Sequence, residues 1–161
     1  KIDSKGRMMV ELSMAGMGSL MKQVINGNTG YMSQQGQKKV LEGEELAEMK
    51  ESAILFGETL LVSKANVKLD SIEPINGSDA YAVIDGDKTH YFDVKTGLKT
   101  AESSISDQQG QKVTQVTYYN DYRDVKGVKV PFNTIMNVGF ELDIKMSEVK
   151  INEGILDADF Q

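Results

Sequence analysis

His90 is the only histidine of the 161-residue chain, and there is no cysteine. Imidazole is the side chain best suited to proton transfer and zinc ligation near neutral pH. Any histidine-based metal site or Ser-His-Asp triad would therefore rest on this one ring. It lies in Thr89-His90-Tyr91-Phe92, within a segment that reads as a hairpin strand. No H-E-x-x-H, H-x-x-E-H or G-x-S-x-G accompanies it, and a lone histidine in such a strand reads as structural. Asp157 and Asp159 could pair as acid and base in the manner of a glycosidase, yet two acids near a C terminus read as solvated. No catalytic residue, metal site or cofactor is expected.

Three further segments begin like known sites and then depart from them. Gly16-Met17-Gly18 opens like a dinucleotide fingerprint, but Met21 stands at the third glycine position and no βαβ pattern surrounds it. Asp85-Gly86-Asp87 opens like a calcium loop, but His90 replaces the loop glycine and Thr96 the terminal glutamate. Asn76-Gly77-Ser78 matches a glycosylation sequon and equally a turn dipeptide. All three read as hairpin turns. Methionine is the unusual feature: nine, against five phenylalanines and no tryptophan. Flexible, polarizable thioethers suit adaptable apolar surfaces, and they equally fill an ordinary core.

The totals bound the rest. A net charge of −6 and the absence of a basic stripe interleaved with aromatics argue against nucleic acid. No apolar run approaches the ~20 residues of a membrane helix. The lack of cysteine fits either the cytosol or a bacterial envelope. The sequence starts at Lys1 and enters a strand almost at once, so it reads as a piece of a longer precursor, forming one domain over residues 1–161.

The elements that must position these residues are mostly strands. Met8, Val10, Leu12 and Met14 alternate with polar neighbours, the period of a half-buried strand. Leu20–Ile25 and Thr29–Ser33 follow around an Asn26-Gly27 hairpin signal, then a polar turn at Gln34–Gln37. The period next changes: Leu46, Met49, Ala53 and Phe56 share one helical face. Glu42, Glu44 and Glu45 favour the positive end of its dipole, and Gly57 is a plausible stop. This predicts a helix over about Glu42–Phe56 and a short helical piece around Thr59–Ala65. From Val67 onward, turn pairs at Asp85-Gly86, Thr96-Gly97, Gln109-Gly110, Lys126-Gly127 and Val138-Gly139 separate strands that pair as an antiparallel meander. Val128, Val130, Phe132, Thr134, Met136 and Val138 alternate, and after Gly139 so do Phe140, Leu142, Ile144 and Met146. Apolar parity shifts at Val149 and Ile151, which predicts a β-bulge near Ser147-Glu148. Pro74 is expected near a strand end and Pro131 at an edge or strand start.

Tyr122-Arg123-Asp124-Val125-Lys126-Gly127-Val128-Lys129-Val130-Pro131-Phe132, then Glu148-Val149-Lys150-Ile151-Asn152-Glu153-Gly154 and Asp157-Ala158-Asp159-Phe160, resemble the LolA/LolB-like outer-membrane lipoprotein carrier superfamily, in its Bacteroidetes form. Tyr91-Phe92-Asp93-Val94-Lys95-Thr96-Gly97-Leu98 fits the same pattern. The matching stretches cover about a third of the chain. The resemblance implies a curved, incomplete antiparallel β-barrel, mainly β with one or two helices covering its open side, and a periplasmic or envelope location. It implies an apolar cavity receiving a lipid or a lipoprotein acyl chain between the concave sheet and the helix. The N-terminal helix that the family places before the first strand is missing. Similar domains extend pitrilysin/insulinase-type zinc peptidases, so the alternative is an accessory domain docking on a peptidase domain of the same precursor. The cavity-lining candidates are Met8, Val10, Leu12, Met14, Leu46, Met49, Phe132, Met136, Phe140, Leu142, Ile144 and Met146.

Overall fold

The computed structural model describes residues 1–14, 16–108, 111–137 and 140–161, with only the backbone of 106–108 and 111. The turn signals at Gln109-Gly110 and Val138-Gly139 lie outside the described residues. The chain is mainly β, and the described strands form two antiparallel sheets, neither closed into a barrel. Two compact units divide it: Lys1–Leu60 with Asn152–Gln161, and Leu61–Ile151.

The first unit holds β1 (Met8–Met14), β2 (Gly18–Asn26), β3 (Thr29–Gln34) and β4 (Gln37–Val40), side by side in that order. Asn26 pairs with Thr29, so the loop is Gly27-Asn28, one residue later than the sequence signal. Gln35 and Gly36 both take positive φ, the type I′ geometry that closes two-residue hairpins. β4 has no sequence signature because all four residues are exposed and two are lysines, the usual protection of a sheet edge. Met8, Val10 and Leu12 stand opposite Ile25, Gln23 and Met21. They share a face with Gly30 and Met32 across β3.

The helix, α1 (Gly43–Ser52), is shorter than its apolar stripe. Ala53 and Ile54 donate to Lys50 and Glu51, which tightens the last turn, and Phe56 then takes φ +59. Gly57 opens a 3₁₀ helix, Gly57–Ser63, close to the expected second helical piece. Leu46 and Met49 pack against a buried cluster of Met8, Ile25, Leu41 and Ala53. Gly30 permits that packing: a Cβ there would lie 2.7 Å from Ile25 Cδ1 and 3.1 Å from Leu46 Cδ1.

The second unit is a seven-stranded meander: β5 (Lys68–Ile75), β6 (Ser78–Asp85), β7 (Lys88–Asp93), β8 (Lys99–Gln108), β9 (Gln111–Val125), β10 (Val128–Asn137) and β11 (Glu141–Lys145), each beside the next. Positive φ at both Asn76-Gly77 and Lys126-Gly127 makes these type I′ turns. Asp85 pairs with Lys88 around Gly86, so Asp85-Gly86-Asp87 is a hairpin turn. Pro74 lies near the end of edge strand β5. Pro131 falls where β10 has no β11 partner, since that pairing covers only Asn133–Asn137. The expected bulge at Ser147-Glu148 is absent, because β11 ends at Lys145 and the chain leaves the sheet before that parity shift. Register shifts occur instead between Leu69 and Ser71 and between Tyr91 and Phe92.

Candidate functional site

Antiparallel registers align side chains across all seven strands of the second unit. One row runs Leu69, Val83, His90, Glu102, Thr117, Met136, Leu142. The row beside it runs Ile72, Tyr81, Phe92, Lys99, then Tyr119, Thr134, Ile144. Lys99 Nζ sits 5.1 Å from the centre of the Tyr119 ring, which joins the two halves of that row. Both bulges matter here, since each returns its strand to the same face after an extra residue. Large apolar side chains at both ends stay exposed: Leu69 at 67%, Ile72 at 58%, Ile144 at 42% and Leu142 at 39%. On the opposite face, Ala82, Tyr91, Ala101 and Tyr118 alternate small with large, and both alanines are fully buried.

The middle of the two rows is polar. His90 is buried, and its Nδ1 lies 3.1 Å from Glu102 Oε2. The contact is off the line of a full hydrogen bond, and neither ring nitrogen has another partner. Lys99 pairs with the same Glu102 oxygen. His90 chiefly, with help from Lys99, holds the Glu102 carboxyl down to about 2 against the opposing effect of burial. This is a compact ionic centre framed by apolar wings.

The twelve candidate lining residues divide between the units. In the first, Met8, Leu46 and Met49 belong to the packed core, and the Gln23 amide donates to the Met49 sulfur. Val10, Leu12 and Met14, on the Met8 face of β1, are exposed. In the second, Phe132 is buried with the Arg123 guanidinium 4.4 Å from its ring centre. Met136, Leu142 and Ile144 lie on the two-row face, whereas Phe140 precedes β11 and Met146 follows it. Open depressions of about 360 and 350 Å³ lie in the first unit, and none of the twelve borders either.

The acidic tail is a clasp. The 3₁₀ helix Asp157–Phe160 packs on β1 and β2. Arg7 bridges Asp157 at 2.8 Å and Asp3 at 2.7 Å, and its guanidinium lies 4.4 Å from the Phe160 ring centre. Asp159 takes Lys1 at 2.6 Å and accepts from the Leu156 amide; these two hold its carboxyl below the usual range. Phe160 is 2% exposed, and Asn26 and Tyr31 donate to the carbonyls of Phe160 and Gln161. Both acids are thus engaged in structure. Asn76, the sequon residue, donates its amide to Asn120 at 2.6 Å.

Sequence reasoning missed Leu69, Ile72, Tyr81, Glu102 and Lys99 as members of this face. The bulges conceal the alternation of the first two. The charged pair gives no local signal, because its meaning arises only opposite His90. Among the described residues no cluster of histidine, cysteine and carboxylate has metal-holding geometry, and no helix is long and apolar enough to cross a membrane.

No sequence-family model matches the chain, and no curated protein matches it. Solved structures do. The LolA superfamily protein NE2245 from Nitrosomonas europaea superposes with a TM-score of 0.60 at 14% identity, over 96% of this chain and 76% of that one. A domain named for outer membrane lipoprotein sorting, from Vibrio parahaemolyticus, gives 0.58 at 14% identity, over 96% and 81%. The chain therefore has the open antiparallel fold of LolA superfamily structures.

Proposed function

We propose that this chain is a non-catalytic envelope domain that binds a lipid, a lipoprotein acyl chain or another apolar ligand. The observation that carries the reading is the pair of rows on the seven-stranded sheet, whose large apolar ends are left in solvent. Leu69 and Ile72 group at one edge of the sheet and Leu142 and Ile144 at the other, and grouped exposed apolar side chains mark a binding surface more strongly than the same residues scattered singly. Each acyl methylene buried there contributes about 0.8 kcal/mol, so roughly ten give the gross energy of micromolar affinity. Met136, Leu142 and Ile144 are the candidates that this surface retains from the sequence, joined by Leu69, Ile72 and Tyr81. The LolA-like fold supports the reading and the periplasmic or envelope location that goes with it.

Native mass spectrometry of the purified chain with added fatty acyl species tests it. Bound acyl species are expected, with occupancy reduced at least tenfold in a Leu69→Ser, Ile144→Ser double variant. A chain that binds no acyl species under any condition, or a double variant that binds as well as wild type, would overturn the proposal. The accessory role beside a zinc peptidase rests on the sequence resemblance alone. Its test is a pull-down of this chain with a separately expressed pitrilysin-type peptidase domain, and no association would remove it.

A further inference from the structure

We infer that β11 pairs antiparallel with the β11 of a second copy, about a two-fold axis at Asp143, joining two seven-stranded sheets edge to edge. The pairing goes beyond the ligand reading and does not depend on it.

The backbone of β11 is already aimed outward. The strand ends the sheet order, and all five of its residues are exposed. The Met146 amide donates to the Phe132 carbonyl at 2.8 Å, one step beyond the ladder that sets Asn133 opposite Lys145. Antiparallel ladders alternate hydrogen-bonded and non-bonded pairs. Ile144 and Leu142 therefore bond to β10, while Glu141, Asp143 and Lys145 turn their N–H and C=O groups to the open side. A two-fold axis at Asp143 sets these residues opposite their counterparts in the second copy, and each facing pair exchanges two N–H···O bonds.

The side chains complement themselves in the same register. Phe140-Glu141-Leu142-Asp143-Ile144-Lys145-Met146 alternates apolar and charged residues alike from either end, and its reversal sets negative against positive. Glu141 meets Lys145 of the second copy, twice, and opposite charges facing across strands are stabilising. The Lys145 side chain is 74% exposed and free to reach across. Leu142 meets Ile144 on the apolar side, and exposed Phe140 meets Met146 beyond the strand ends. Asp143 faces its own copy, the one like-charge contact. Lys145 at 3.0 Å and the Asn133 amide already bond that carboxylate and hold it below the usual range. The other edges are guarded: β4 carries Lys38 and Lys39, β5 carries Pro74 and a bulge, and Lys1 and Ile2 bridge the start of β1. β11 has one unbroken register and no proline, and an unguarded edge is a template for a further strand.

Sedimentation equilibrium from ~10 µM to ~1 mM, where small interfaces associate, tests the pairing. Wild type is expected to approach twice the chain mass. Glu141→Lys alone and Lys145→Glu alone should each weaken self-association about tenfold, since two attractive pairs become repulsive. An equimolar mixture of the two variants sets lysine against glutamate at every such position and should restore the dimer to wild-type strength. In wild type, amide exchange at Glu141, Asp143 and Lys145 should slow as concentration rises, with Leu142 and Ile144 unchanged. A chain that stays monomeric throughout, single variants that associate as wild type does, or a mixture that fails to recover overturns the pairing. So does concentration-dependent protection confined to β1, β4 or β5.

Discussion

The two sheets solve the same problem in different ways. The four-stranded sheet buries part of its apolar surface within its own unit, although Val10, Leu12 and Met14 stay exposed. α1 closes the Met8, Ile25 and Leu41 face. The tail packs Phe160 on β1 and β2, and Val24, on the strand face opposite Ile25, is 2% exposed. Its largest buried side chains, Phe160, Ile25, Leu41 and Val24, are all of this kind. Among the described residues, the side chains of the seven-stranded sheet at or below 1% exposure are all alanines, Ala80, Ala82 and Ala101, with Phe132 buried at 7%, and Leu69, Ile72 and Ile144 stay in solvent. The first arrangement converts apolar area into stability. The second leaves Leu69, Ile72, Leu142 and Ile144 in solvent at the two ends of its rows, where the proposed ligand would bind.

The contrast can be broken experimentally. The largest effect is expected at the clasp: Phe160→Ala should lower unfolding stability by about 4 kcal/mol, the cost of emptying a packed aromatic site, as read by urea denaturation. Next comes the ionic centre. The Glu102 carboxyl, ordinarily at 4.5, is held at about 2 in the fold, so its contribution is fully present above about pH 4.5 and is lost as pH falls toward 2. The linkage is worth on the order of 2–3 kcal/mol. Glu102→Gln should flatten the stability profile across that window, and a profile identical to wild type would refute the pairing.

Gly30→Ala should cost about 1–2 kcal/mol, because the added methyl meets Ile25, Leu46 and the Val24 carbonyl oxygen. Thermal unfolding would show it, and an unchanged midpoint would mean that α1 can retreat freely. The smallest stability effect is expected on the open face, where Ile144→Ser should change stability by no more than about 0.5 kcal/mol. A larger loss there would mean that the residue belongs to a core, and the distinction between the sheets would collapse.

Much of the fold is legible locally. Alternation located β1 and β10, and turn dipeptides placed the hairpins at Asn76-Gly77, Asp85-Gly86 and Lys126-Gly127. Short-range signals failed where pairing, not composition, makes the element. β4 exists because Gln37–Val40 hydrogen-bonds to β3, although the sequence there offers only the polar turn Gln34–Gln37. β11 ends at Lys145 although the apolar pattern continues to Met146. Phe56 carries the helical period yet leaves α1, because the last turn tightens at Ala53 and the backbone reverses at Phe56 itself. The site was harder still. Of the candidate liners, Met8, Leu46 and Met49 are core, and periodicity marks only that a residue faces one side, never whether another element covers that side.

What this sequence determined by itself is the period of each segment and the backbone freedom of each turn, both of which depend on neighbouring residues alone. It also excluded a thiolate site, through the absence of cysteine. Only the tertiary structure decided that His90 meets Glu102, that Leu69 and Leu142 end one row, and that Asp157 and Asp159 are tied to Arg7 and Lys1. The physical reason is register. A one-residue shift moves a whole strand to the other face, and the bulges at Leu69/Ser71 and Tyr91/Phe92 set that register through hydrogen bonds between strands. His90 began as a lone residue without partners in the sequence, and the pairing of β7 with β8 gave it one.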